Sequence, residues 1–259
     1  MPVEFWSFAA AVAGGAVIGL LLSVFGGGGS VLATPLLLYV VGVADAHVAI
    51  GTASAAVAVN ALAGLAMQAR AGRVKWPCAI VFGVSGLAGA LVGAAVAKRM
   101  DGGDLMIWFA VAMAAVAVSM LVPRKGDGDP GVRLTPMMTL KLAPLGVVTG
   151  LAAGFFGIGG GFLIAPGLMA ATGMTLANAA ASSLISVTLF GAATSISYAA
   201  SSLVDWGLFA ALVAGGAAGT IAAVPVSRAL ADRAPLARRM FALMVLATAA
   251  YVGWRSLTG

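Results

Sequence analysis

The charged side chains of this chain are spaced like boundary marks. No Asp, Glu, Lys or Arg lies between Glu4 and Asp45, and none within 46–69, 76–97, 105–123, 142–204, 206–227 or 240–254. A helix needs about 20 mostly apolar residues to cross a bilayer core. Backbone polar groups cannot be left open in lipid, so each such run is expected to be helical. The runs place eight long helices near 5–24, 48–68, 76–97, 104–122, 139–156, 178–200, 206–228 and 236–255. A β-barrel does not fit, because the runs are continuous rather than alternating.

Composition narrows the function classes. Of 259 residues, 62% are hydrophobic and 8% are charged, against roughly a quarter charged in a soluble domain. The 14 basic and 8 acidic side chains cannot cover a soluble surface. Soluble enzymes, nucleic-acid readers and disordered regulators are thereby excluded, and an all-α polytopic membrane protein remains. A bacterial inner membrane is the expected location. The basic residues gather at span ends (Arg70, Arg73, Lys75; Lys98, Arg99; Arg124, Lys125; Arg228, Arg233, Arg238, Arg239). Orientation signals and contacts with anionic lipid are expected there. The lone Cys78 excludes an internal disulfide and a cysteine-built metal site. No metal and no cofactor is expected. The first residues hold Glu4 and no basic stretch, so they read as a first helix rather than a signal peptide.

The chain repeats itself. Residues 19–42 (GLLLSVFGGGGSVLATPLLLYVVG) align with residues 150–173 (GLAAGFFGIGGGFLIAPGLMAATG) at an offset of 131. Gly19 falls on Gly150, Phe25 on Phe156, Gly26 on Gly157, Pro35 on Pro166 and Gly42 on Gly173. At an offset of 130, Trp76 falls on Trp206, Gly86 on Gly216, Gly89 on Gly219 and Lys98 on Arg228. Two homologous repeats follow, 1–122 and 139–259, joined by a polar linker at 123–138. Each repeat is expected to hold four long helices and one short, glycine-broken helical segment. Membrane repeats are common in secondary transporters, whose substrate sites lie between the repeats near the midplane.

The breaks read FGGGGS at 25–30 and FGIGGG at 156–161. Each glycine costs about 1 kcal/mol relative to alanine in a helix, so the backbone is expected to unwind there. Consecutive glycines do not share one helix face, unlike Gly89/Gly93 and Gly215/Gly219, which fit close helix packing. After each break comes a short apolar run, 31–41 or 162–172, with Pro35 or Pro166 in its interior. Eleven helical residues rise about 16 Å, half a bilayer core. Two such starts facing each other would offer free N–H groups to an anion without any fixed cation. The expected substrate-binding residues are Gly26, Gly27, Gly28, Gly29 and Ser30 with Gly157, Gly159, Gly160 and Gly161. Thr52, Asn178, Ser182 and Ser183 are expected to complete the shell. His47, the only histidine, and Asp45 read either as a proton-coupling pair or as a helix start with Asp45 as its cap.

The doubled Phe-Gly-x-Gly-Gly-(Gly/Ser), each copy followed by an apolar run and a proline, resembles the sulfite exporter TauE/SafE family of membrane transporters. The resemblance covers nearly the whole chain. It implies a small anionic cargo containing sulfur: sulfite, an organosulfonate, sulfoacetate or thiosulfate. A passive anion channel is the alternative, because glycine-lined backbone also builds filters. An intramembrane protease is a distant third. Residues 83–86 (GVSG) resemble a rhomboid-type serine motif, but His47 precedes them; GDGD at 126–129 lies in the polar linker.

Two topologies fit. If the short segments are re-entrant, each repeat crosses four times and the repeats are parallel. If they cross, each repeat crosses five times and the repeats are inverted. Inversion gathers Arg70 to Lys75, Arg124 to Lys141 and Arg228 to Arg239 on one side. The positive-inside rule favours that arrangement, with both termini outside.

Overall fold

The computed structural model describes residues 5–121, 128–157, 161–231 and 234–258. Helices α1 (Phe5–Phe25), α2 (Ala33–Leu36), α3 (Ala46–Arg70), α4 (Trp76–Ala97) and α5 (Gly102–Leu121) come first. Helices α6 (Pro136–Phe156), α7 (Gly161–Thr172), α8 (Leu176–Ala199), α9 (Trp206–Ala231) and α10 (Ala234–Thr258) follow. A 3-10 helix, Gly26–Leu32, precedes α2, and a π-helical stretch, Leu37–Val41, follows it. All eight long helices expected from the charge-free windows are present, with ends shifted by a few residues. Three starts are set by local caps: Asp45 accepts from the backbone of His47 and Val48 to start α3, and Thr135 and Thr175 cap α6 and α8.

Among the described residues, six stretches are long and apolar enough to cross a membrane. They are Trp6–Val41, Ala46–Arg70, Trp76–Ala97, Pro136–Phe156, Leu176–Ala199 and Trp206–Ala223. The first contains the glycine break, and it does not run straight. Gly14 packs against Leu36, and Gly29 packs against Leu21 and Leu22. The chain after the break therefore runs back along α1.

Helix partners come from opposite halves of the chain: α1 packs on α9, α6 on α4, α3 on α8 and α5 on α10. Small residues let the first two pairs approach backbone to backbone, as membrane helices do without a hydrophobic drive between them. Gly15 meets Leu212 and Gly19 meets Gly216; in the other seam Gly146 meets Phe82, Gly150 meets Gly86 and Gly154 meets Ala90. The residue numbers rise together, so α1 runs parallel to α9, and α6 to α4. In the third pair Gly51 meets Tyr198, Gly191 meets Ser54 and Gly64 meets Leu184, so α3 and α8 run antiparallel. Gly89, Gly93, Gly215 and Gly219 all sit in these seams, as close packing requires.

Among the described residues the apolar interior falls into a main cluster, a second one, and a small third one of Val74, Ala79, Ala181 and Ile185. The second joins α5 and α10 to Val31, Ile50, Phe156 and Tyr198. The α5–α10 pair thus covers the side of the bundle where the breaks lie.

Candidate functional site

Helix α1 stops at Phe25 because Gly26 takes φ +65°, the left-handed region that glycine occupies without strain. The next residues do not unwind, contrary to what the four glycines imply for a helix. They wind into the 3-10 helix Gly26–Leu32, buried at every residue from Gly26 to Val31. The physical reason is that a compact coil satisfies its own backbone where no water is available. The missing side chains serve a second purpose, which is close approach. A Cβ on Gly26 would lie 2.2 Å from the Ala180 carbonyl oxygen, and one on Gly27 would meet Val187, at the middle of α8.

The second break begins in the same way. Helix α6 ends at Phe156, and Gly157 takes φ +65° with its N–H donating to Ala153 O. A Cβ on Gly157 would strike Ile50 of α3, the position that the offset of 130 pairs with Ala180. Gly159 and Gly160 lie outside the described residues. Gly161 opens α7, and a Cβ there would lie 1.7 Å from Gly27 O. The two breaks therefore touch, deep in the bundle. Pro35 sits in α2 just before the π-helical stretch, whereas Pro166 is accommodated inside an unbroken α7.

Three serines hold this centre. The Gly27 N–H donates to Ser183 Oγ at 3.0 Å, and Ser183 donates to Ala180 O at 2.8 Å. Ser30 Oγ donates to Gly27 O at 2.7 Å. Ser54 Oγ donates to Gly157 O. The structure thus brings Gly26, Gly27, Gly157, Gly161, Ser30 and Ser183 to the breaks, with Gly28 and Gly29 buried beside them. Three other expected residues turn elsewhere. Thr52 Oγ1 accepts from Asp205 N at 2.8 Å, and Ser182 Oγ accepts from Lys75 N at 2.9 Å, each tying a helix to a distant turn. Asn178 donates through Nδ2 to Pro130 O at 3.3 Å.

His47 and Asp45 stand at the start of α3, at an open pocket of about 550 Å³ that Met100 and Asp101 also line. The Asp45 carboxylate caps the helix, 2.7 Å from His47 N. The His47 ring has Nε2 3.1 Å from Met100 O, while its buried Nδ1 has no partner among the described residues. Ser85 of the GVSG stretch donates to Phe82 O on its own helix. Ser54 was readable in the sequence only as one hydroxyl among several in an apolar helix. Its bond to Gly157 depends on the α3–α6 approach, for which the sequence carries no local signal.

Residues 11–252 match the family described as sulfite exporter TauE/SafE. A probable membrane transporter protein of Xylella fastidiosa (strain Temecula1) is 42% identical over 250 residues, covering 95% of this chain and 94% of that protein. The probable membrane transporter protein YunE of Bacillus subtilis (strain 168) is 26% identical over 81% of this chain and 84% of its own length. One from Haemophilus influenzae (strain Rd) is 25% identical over 74% of this chain and 73% of its own. No solved structure matches. With the duplicated glycine breaks meeting inside a helical bundle and the match running almost end to end, the chain belongs to the sulfite exporter TauE/SafE family.

Proposed function

We propose that this membrane transporter is a secondary transporter for small anions of the sulfur oxyanion or sulfonate class, embedded in a bacterial inner membrane. The observation that carries the reading is the contact of the two breaks at Gly27 and Gly161, level with the middle of α8. Secondary transporters bind their cargo at such midplane interruptions. No Lys or Arg lies in the mid-span windows, so backbone N–H groups and buried hydroxyls are the donors left for an anion. In the present state Ser183 holds the Gly27 N–H, and cargo would exchange with that hydroxyl.

Helix directions support inverted repeats. The α1–α9 and α4–α6 pairs are parallel and the α3–α8 pair is antiparallel. Each connection across a break then crosses the membrane. One repeat rocking against the other would open both glycine seams at once. The moving body is instead a bundle drawn from both halves, and α5 with α10, packed chiefly on each other, is its natural unit. Proton coupling would run through His47, whose ring links α3 to the turn before α5.

Proteoliposome uptake tests the reading. Gly28→Leu and Gly159→Leu should abolish flux of sulfite, thiosulfate or sulfonates while leaving folded, inserted protein. Retained flux in both removes the central idea. Uphill uptake driven by a proton gradient supports a carrier, whereas purely downhill flux at very high turnover makes the protein a channel.

A further inference from the structure

We propose that Ser54 is a positioning residue of the transport cycle, holding the second glycine break through the Gly157 carbonyl without touching cargo. Ser54 is wholly buried on α3. Its hydroxyl proton is shared between Ile50 O of its own helix, at 2.7 Å, and Gly157 O at the end of α6. The bond to Ile50 alone satisfies a serine in a membrane helix. The second bond serves Gly157, the residue that caps the end of α6. The last carbonyls of a helix lack intrahelical partners, and lipid offers none.

The first break shows the complementary arrangement. Ser183 of α8 accepts from the Gly27 N–H. Each break is thus tied by a serine to the central helix of the opposite half, one through a carbonyl and one through an N–H. Gly27 and Gly161 are in backbone contact, so releasing one tie displaces the other break. The Ser54 proton is committed to carbonyls, which leaves no donor for an anion. Its effect falls on how fast the second break moves between states, and affinity is left to other groups.

The inference rests on the breaks moving during transport, and not on the backbone cradle for the anion. Ser54→Ala, Ser54→Cys and Ser54→Thr are compared in proteoliposomes with sulfite, thiosulfate and methanesulfonate. Ser54→Ala is expected to lower the maximal rate about tenfold with KM within twofold of wild type. Ser54→Thr, which keeps the hydroxyl, should recover most of the rate. An unchanged rate, a KM that rises in step with the loss, or a threonine variant as slow as alanine each overturns the proposal. Ser54→Cys keeps the size with a poor donor, and replaces alanine in the comparison if alanine fails to fold. Hydrogen exchange over residues 155–165 provides a readout that needs no cargo. It should speed up in Ser54→Ala and not in Ser54→Thr, and equal exchange in all variants sinks the idea even if wild-type protein moves none of the three anions. Wild-type silence towards those anions, with the exchange result intact, counts against the proposed cargo alone.

Discussion

Gly27 and Gly161 lie backbone against backbone, and the space between them has no room for one methyl group. A Cβ on Gly161 would sit 1.7 Å from Gly27 O and 2.3 Å from Gly27 Cα. Gly161→Ala must push the two breaks apart. Overpacking of this kind costs about 1–3 kcal/mol, and uptake is expected to fall at least tenfold. Gly167→Ala is the control on the same helix, since its nearest neighbour would be Phe82 at an ordinary 3.5 Å. Equal uptake by the two variants refutes the importance of the contact.

Ser183→Ala leaves the buried Gly27 N–H without its acceptor. An unsatisfied buried donor costs about 1–3 kcal/mol. Thermal unfolding in detergent should show that loss for Ser183→Ala and a smaller one for Ser183→Thr.

The two glycine seams should respond alike. A Cβ would meet Gly216 O at 2.1 Å from Gly19 and Gly86 O at 2.0 Å from Gly150. Gly19→Ala and Gly150→Ala are expected to destabilise by similar amounts, about 1–3 kcal/mol each. Gly64→Ala, with 3.6 Å to its nearest neighbour, should be close to neutral. Melting curves of the three variants decide it, and a large difference between the first two would show that the seams are not equivalent.

Asp45 and His47 separate by the kind of damage they do. Asp45 caps α3, so Asp45→Ala should cost about 1 kcal/mol of stability while Asp45→Asn costs little. His47→Asn should abolish the dependence of uptake on a proton gradient. A gradient dependence that survives His47→Asn, measured by uptake at fixed and imposed pH differences, would take His47 out of the coupling.

The long helices were legible because lipid imposes one local rule, apolar length, and the charges mark where each run ends. The caps at Asp45 and Thr175 refine those ends by a residue or two. The site was legible only in outline. Gly26 and Gly157 stand out by their repetition, and both indeed terminate a helix with φ +65°. The roles of the hydroxyl residues were not legible. Thr52 and Ser182 read as equals of Ser183, yet one bonds the backbone of Asp205 and the other that of Lys75. Which way a hydroxyl turns depends on the helix placed beside it, and spacing within one helix says nothing of that.

The sequence by itself determined an integral, all-helical chain with a glycine motif that occurs twice, because charge spacing and glycine runs act through local physics. Tertiary structure decided the rest. It paired α1 with α9 and α4 with α6 across the two halves, wound the first interruption into a 3-10 helix instead of leaving it unwound, and brought Gly27 against Gly161. Those outcomes turn on how closely backbones far apart in the chain can approach. Removing side chains permits that approach without specifying the partner.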